Sequence, residues 1–326
     1  MGGHPLIAIV GPTAAGKSAL ALALAERLKG EVVNYDSVQL YRGFDVGSGK
    51  LPLAERRGIA HHLLDCLNPA DVFTAGDYRR EALKVLADLR TRDKLPVLAG
   101  GTGLYLRALL VGLFAGPVRS EALRERLRAM VERRGREFLH RLLVRLDGVA
   151  AARIQARDTQ KLIRAVEVCI LAKQPISAMH ASGRSGLEGY DVIKLGLNPP
   201  RAQLYERINR RVERMFAAGL MDETEALLHL PEAARIKALG ALGYRQARAV
   251  VEGKASRDEA IIETQKATRR YAKRQLTWFR REPEITWQEG FGDDPHVQSR
   301  MIEFLGRMPA TRGPVAHASP AVAPAL

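Results

Sequence analysis

An apolar run rich in β-branched residues, Leu6-Ile7-Ala8-Ile9-Val10, leads directly into Gly11-Pro12-Thr13-Ala14-Ala15-Gly16-Lys17-Ser18, and an alanine- and leucine-rich stretch comes next. The first run reads as a buried strand of a parallel sheet and the last as a helix of high propensity. Strand, G-x-x-x-x-G-K-S, helix is the order of a phosphate-binding loop. Its residue types follow from holding an anion with backbone. Gly11 and Gly16 let the chain curl so that successive N–H groups point inward, and the helix beginning near Lys17 turns its positive end to the same spot. Lys17 adds a full charge, and the Ser18 hydroxyl stands where it would ligate a phosphate-bound Mg²⁺. An ordinary glycine-rich turn fits less well, because motif and context agree. The expectation is an α/β fold, a P-loop parallel sheet flanked by helices, with a phosphate or diphosphate bound at residues 11–18.

At 326 residues the chain has room for two domains or for one with a large insert, and 46% hydrophobic content supports a substantial core. No apolar run approaches the roughly 20 residues of a membrane span, and no secretory-signal pattern opens the sequence. Cys66 and Cys169 form no C-x-x-C pair, which argues against a disulfide framework or a zinc site. A cytoplasmic protein is expected. The formal charge of +15 is unevenly placed. Residues 119–164 hold 13 Lys/Arg against 6 Asp/Glu and residues 201–281 hold 18 against 10, which accounts for the whole excess. Positive charge confined to two segments favours a polyanionic partner, most plausibly nucleic acid, over a merely solvated surface.

Glu31-Val32-Val33-Asn34-Tyr35 reads as a second strand ending at Asp36-Ser37, which places Asp36 beside the phosphate loop at the carboxyl end of the sheet. An N-cap or turn role for Asp36 is the alternative. Residues 39–50 contain three glycines without periodicity and read as a mobile functional loop. His61-His62 is a weak candidate for a metal, since adjacent strand residues point to opposite faces. A helix is expected over 74–92, then a strand at Leu95–Ala99 running into Gly100-Gly101-Thr102-Gly103, a second glycine turn with a hydroxyl. That strand ends without the acidic residue frequent in hydrolytic NTPases. From Ser120 the chain turns helical and arginine-rich, with Asp158 an N-cap for a helix burying Leu162, Val166, Cys169 and Ile170 and leaving Gln160, Lys161 and Arg164 on its polar face. Residues 192–197 return to strand. Arg207, Arg210, Arg211 and Arg214 form one basic helical stripe. Residues 268–281 interleave cations with aromatics, a composition suited to phosphates and stacked bases or, equally, to an amphipathic helix burying Leu276 and Phe279. The chain thus divides into a P-loop α/β core at 1–118, a helical insertion domain at 119–190, a return to the core with a basic helical C-terminal region at 191–290, and a disordered tail at 309–326.

Taken together, GPTAAGKS at 11–18, DSVQLYRGFDVGSGK at 36–50, AGGTGLY at 99–105, QKLIRAVEV at 160–168, RINRRVERMFAAGL at 207–220, GYRQ at 243–246 and AKRQLTWFRR at 272–281 resemble the tRNA dimethylallyltransferases, or tRNA isopentenyltransferases. The match runs collinearly over roughly residues 5–290. It departs at Tyr35, at Lys161 where arginine is usual, and at Leu171-Ala172-Lys173. The resemblance implies that dimethylallyl diphosphate fills the phosphate loop and that the acceptor is the exocyclic amine of the adenosine immediately 3′ of the tRNA anticodon. It implies Asp36 as the base, with Lys17, Arg211 and Mg²⁺ on the diphosphate and Thr102 near the reacting groups. It further implies tRNA contacts by Asp36, Ser37, Val38, Gln39, Thr102, Arg124, Gln160, Lys161, Leu162, Ile163, Arg164, Gly240, Ala241, Leu242, Gly243, Tyr244, Arg245, Lys273, Arg274, Gln275, Leu276, Thr277, Trp278, Phe279 and Arg280. No membrane partner and a monomer are expected. A small-molecule or nucleotide kinase, an adenylate-accepting relative and a non-catalytic RNA-binding protein are the rivals. The first leaves both basic segments without a role, the second would not need the basic C-terminal third, and the third leaves Asp36 beside a diphosphate site unexplained.

Overall fold

The computed structural model describes residues 3–181, 183 and 185–307, so the tail at 309–326 lies outside the described residues. Six parallel strands, β1 (His4–Val10), β2 (Gly30–Asn34), β3 (His61–His62), β4 (Leu95–Ala99), β5 (Tyr190–Leu197) and β6 (Ile285–Gln288), form one sheet in the order β3-β2-β4-β1-β5-β6. Residues 6–10 of β1, a continuous apolar run, are buried, and so is all of β2, including its polar Glu31 and Asn34. Helix α1 (Lys17–Arg27) packs Leu20, Ala21, Leu24 and Ala25 against Ile7, Ile9, Val32, Val97 and Leu195 of the sheet. Helix α2 (Ala75–Thr91) starts on a capping box between Thr74 and Asp77, and α3 (Gly103–Leu110) comes after β4.

The register decides where chemistry is placed. Asn34 and Ile9 both pair with Ala99, so β2, β4 and β1 end level and side by side. The segments that leave these strands, Tyr35-Asp36, Gly100-Gly101 and the 11–16 loop, share one edge of the sheet, where open α/β sheets bind ligands.

The chain forms two compact units, one from Leu110–Leu187 and the other from the stretches on either side of it. The first holds α4 to α8 (Glu121–Arg134, Arg136–Leu146, Gly148–Arg153, Thr159–Ala172 and Ile176–Ala181), packed around Leu127, Leu139, Leu143, Leu162, Ile163 and Val166. Asp158 caps α7, accepting from the Lys161 amide at 3.2 Å, but Ile170 of its expected apolar stripe is 42% exposed. The second unit continues with α9 (Arg201–Ala217), α10 (Leu220–Leu228), α11 (Tyr244–Val251), α12 (Arg257–Phe279) and α13 (Pro295–Gly306). Strand β6 and helix α13 have no counterpart among the sequence expectations. Four residues at a sheet edge carry too little pattern, and α13 buries only Val297 and Met301 fully in the core, with Ile302, Phe304 and Leu305 packed partly against it. Among the described residues no helix is long and apolar enough to cross a membrane.

Candidate active site

The 11–16 loop has the curl its glycines allow. Gly11 and Gly16 lie at φ 142° and 85°, and Ala14 joins them at φ 64°. A Cβ on Gly16 would lie 2.8 Å from both Asp293 Oδ1 and the Gly292 amide, so only glycine fits there. Two of the loop's amides are spent internally: Ala15 donates to the Pro12 carbonyl at 3.3 Å, and Thr13 donates to Gln275 Oε1 at 2.7 Å. Those of Ala14, Gly16, Lys17 and Ser18 remain for an anion, the last two in the first turn of α1. Lys17 folds back over the loop, donating to the Gly11 and Pro12 carbonyls at 3.1 and 2.8 Å. Burial pushes its ammonium down to about 7, with Asp36 opposing and Arg211 reinforcing the shift. An anion here would supply the missing counter-charge. Ser18 is exposed at the loop's mouth. Among the described residues no group of three or more His, Cys, Asp or Glu is placed to hold a metal ion. One hydroxyl fits an ion such as Mg²⁺ that takes most of its shell from phosphate oxygens and water.

Asp36 is fixed by its neighbours. Its amide donates to Asn34 Oδ1 at 2.9 Å, and its Oδ1 accepts from the Val38 amide at 2.9 Å. The turn role thus occupies one carboxylate oxygen only. The other, Oδ2, faces Gly101, where a Cβ would lie 2.8 Å away. A Cβ on Gly100 would likewise press on the Tyr35–Asp36 peptide at 2.5–2.6 Å. Hence β4 ends in Ala-Gly-Gly: the middle strand of the three must end without side chains. Tyr35, a departure from the family pattern, is fully buried and ties β2 to β1 through its hydroxyl and the Ile9 carbonyl at 2.5 Å. The Thr102 hydroxyl is engaged within the protein, accepting from the Ser37 amide and donating to Ser37 Oγ, both at 3.0 Å. It braces the Asp36–Ser37 turn.

The basic stripe of α9 is split by its surroundings. Arg211 alone turns toward Asp36, which lies within electrostatic reach, and donates to the Ser48 carbonyl at 3.3 Å. Burial is the main cause holding its guanidinium below the ordinary value; Asp36 opposes, while Arg207 and Arg214 reinforce. Arg207 instead forms two 2.8 Å hydrogen bonds with Asp293 beside Gly16 and lies over the Phe291 ring. Arg210 pairs with Glu206 at the surface. Residues 39–50, expected as a mobile loop, are tied down by hydrogen bonds at several points. Glu223 of α10 accepts from the Asp45, Val46 and Gly47 amides at 2.8–3.1 Å and from Tyr244 Oη at 2.5 Å. Lys50, 8% exposed, joins the Tyr41 carbonyl to Asp45 and Asp65. Gln39 closes the loop on the Ser48 and Gly49 carbonyls at 3.2 and 3.4 Å. Glu223, Asn34, Tyr271 and Asp293 have no sequence signal beyond their polarity, because each acts on a segment distant in sequence or on a turn just formed. His61 and His62 are also internal, bonded to the Ile59 carbonyl and to Glu31.

The expected RNA-contacting residues separate by exposure. Lys273, Arg274 and Thr277 are exposed on α12 and Arg280 just past its end, as are Gln160, Gly240 and Arg245 on their own segments. Ser37, Val38, Lys161, Ala241, Leu242, Leu276 and Trp278 are partly exposed. Leu162, Ile163, Gly243, Tyr244, Gln275 and Phe279 are buried and present no side chain to a partner; the amphipathic pattern of α7 and α12 explains this correction for four of them, and Tyr244, at the start of α11 after Gly243, packs on Phe44 and donates to Glu223 instead. Arg124 and Arg164 are present at the surface of their unit but are tied to the fully buried Glu167, at 2.9–3.0 and 2.8 Å.

Residues 39–282 match the family model described as IPP transferase. The tRNA dimethylallyltransferase of Solibacter usitatus is 52% identical over 93% of this chain and 100% of its own length. That of Koribacter versatilis is 50% identical over 92% and 97%. The crystal structure of the tRNA isopentenylpyrophosphate transferase of Bacillus halodurans is 36% identical, covers 93% of this chain and 96% of its own, and superposes with a TM-score of 0.68.

Proposed function

The chain belongs to the IPP transferase family, and from that premise we propose that it transfers a dimethylallyl group from dimethylallyl diphosphate to the exocyclic amine of the adenosine immediately 3′ of the anticodon in tRNA, releasing diphosphate. The observation that carries this reading is the convergence of Lys17, Arg211 and Asp36 above the glycine end of β4.

The diphosphate lies against the amides of Ala14 and Gly16–Ser18, with Lys17 and Arg211 meeting the charge that grows on it as the C–O bond to the allylic carbon breaks. Ser18 would hold Mg²⁺ on the diphosphate, and that ion would neutralise further leaving-group charge. The adenine amine is a weak nucleophile because its lone pair is delocalised into the ring. Asp36 Oδ2 orients one N–H and accepts the proton as the new C–N bond forms. The base must leave its stack to reach this depth, and the exposed cations of α12 are suited to the surrounding phosphates.

A kinase would share the loop and a carboxylate beside it, but the comparisons do not favour that reading. Incubation with labelled dimethylallyl diphosphate, labelled ATP and unmodified tRNA distinguishes the two. Allyl label on the tRNA is the expected result, and label moving from ATP to any acceptor instead overturns the reading.

A further inference from the structure

Helix α12 carries its cations outward and one buried carboxamide inward. Gln275 is 5% exposed, and both ends of its side chain are occupied. Oε1 accepts from the Thr13 amide of the 11–16 loop at 2.7 Å, while Nε2 donates to the Gly101 carbonyl at 2.9 Å. The orientation is unambiguous, because one neighbour is only a donor and the other only an acceptor. Tyr271, one turn earlier on α12, donates to the same carbonyl at 3.0 Å and fills its second lone pair. A Cβ on Gly101 would lie 2.8 Å from Asp36 Oδ2 and 3.0 Å from Gln275 Nε2, so the carboxamide and the free carboxylate oxygen flank the same bare position.

We propose that Gln275 is a positioning residue that sets the separation between the anion-binding loop and Asp36, and so between the two reacting atoms. This rests on the reaction proposed above. The loop and Asp36 succeed β1 and β2, two strand steps apart with β4 between them, a span of roughly 9–10 Å. No hydrogen bond joins Thr13 to the Asp36 turn directly among the described residues. Gln275 bridges them by holding an amide of the first loop and a carbonyl of the turn that packs on Asp36. Reacting atoms must approach to about 3–3.5 Å, and a misplacement of about 1 Å costs on the order of 10²-fold in rate. The Thr13 amide, spent on Gln275, does not serve the anion; it sets where the remaining amides stand.

Gln275→Met keeps the side-chain length and removes both hydrogen bonds. Its expected result is a kcat lower by about 10²-fold. Affinities for inorganic diphosphate and for tRNA should stay within about threefold, and the pH profile of kcat should keep its shape because the base is unchanged. Hydrogen exchange at the Thr13 amide should accelerate at least tenfold. Tyr271→Phe removes one of the two bonds to Gly101 and should lower kcat by a smaller factor; it serves as the variant of record if Gln275→Met does not fold. Unchanged kcat with a lower Tm overturns the proposal in favour of a simple strut. Weakened tRNA binding with unchanged kcat at saturation overturns it in favour of an RNA contact. The wild-type protein run in parallel keeps the two readings apart: if it transfers no allyl group, the reaction falls, while exchange at the Thr13 amide still reports whether Gln275 holds the loop.

Discussion

Glu167 and Asp36 are each faced by two cations, but the distances differ. Glu167, fully buried, receives Arg124 through both its oxygens, Arg164 at 2.8 Å and the Ser120 amide at 2.9 Å. Burial alone would raise its carboxyl, yet these hydrogen bonds outweigh burial and hold it below the ordinary value. Asp36 spends one oxygen on a backbone amide and reaches Lys17 and Arg211 only through space. Among the described residues, neither of those cations forms an ion pair, and burial depresses both. Cations that are fully paired hold a fold together, whereas cations kept apart from a carboxylate in a desolvated pocket are ready for a ligand. A count of arginines cannot separate the two cases.

The strongest test of this contrast is Asp36→Asn, which keeps the shape and removes the base. Turnover should fall by about 10³-fold, within the usual range for a lost general base, with tRNA affinity within twofold; near-normal turnover with a tenfold loss of tRNA binding would make Asp36 a binding residue. Glu167→Gln should act on stability instead. Stranding the largely buried Arg124 guanidinium costs about 3 kcal/mol, the more exposed Arg164 adding little because water reaches it, and the loss is read as a Tm several degrees lower with kcat at saturating tRNA unchanged. A fall in kcat without loss of stability would show that the two sites are not of different kinds.

A smaller effect is expected from pH. On the reading proposed above, Lys17, depressed to about 7 in the free protein, must be charged to hold the diphosphate, and binding is then expected to take up a proton. Donor affinity should therefore weaken as pH rises above 7, by up to about tenfold per unit, and Lys17→Arg, charged throughout, should flatten the slope. An unchanged slope in that variant would separate Lys17 from the donor. The smallest effect concerns salt. Replacing Lys273 and Arg274 by Gln should flatten the log–log salt dependence of tRNA binding by about 1.4, or about 0.7 per lost phosphate contact. Arg124→Gln should leave that slope nearly intact and lower Tm, because its guanidinium serves Glu167. Equal slopes for the wild type and the double variant would move the RNA face elsewhere.

How much of the fold and the site is legible in the sequence depends on the range of the interactions. The 11–18 loop and the Thr74 capping box are local arrangements, and so their sequence patterns specify them. The position of Asp36 follows from one general rule about strand ends. The choice of Arg211 from four arginines on α9 has no local basis, since Gly49 and Ser48 of a distant loop decide which one turns inward. Residues 39–50 read as mobile because their order comes from Glu223, more than 170 positions later. On α12, a polar residue at a buried position signals a partner without saying which, so Gln275 groups with its exposed neighbours in the sequence pattern. The run Gln160–Arg164 shows the opposite error: its amphipathic period already separates Leu162 from the polar face, and a motif taken whole blurs that distinction.

That Lys17 and Arg211 have no ion-pair partner among the described residues also bears on turnover. A pocket whose cations are satisfied by the incoming diphosphate ester is satisfied better still by the free diphosphate left behind, which carries more negative charge. The leaving group is then held more tightly than the donor it came from, and free diphosphate is expected to inhibit by occupying the donor's place. Inorganic diphosphate should raise the apparent KM for the donor and leave kcat unchanged; no inhibition at concentrations near the donor's KM would show that the pocket lets its leaving group go.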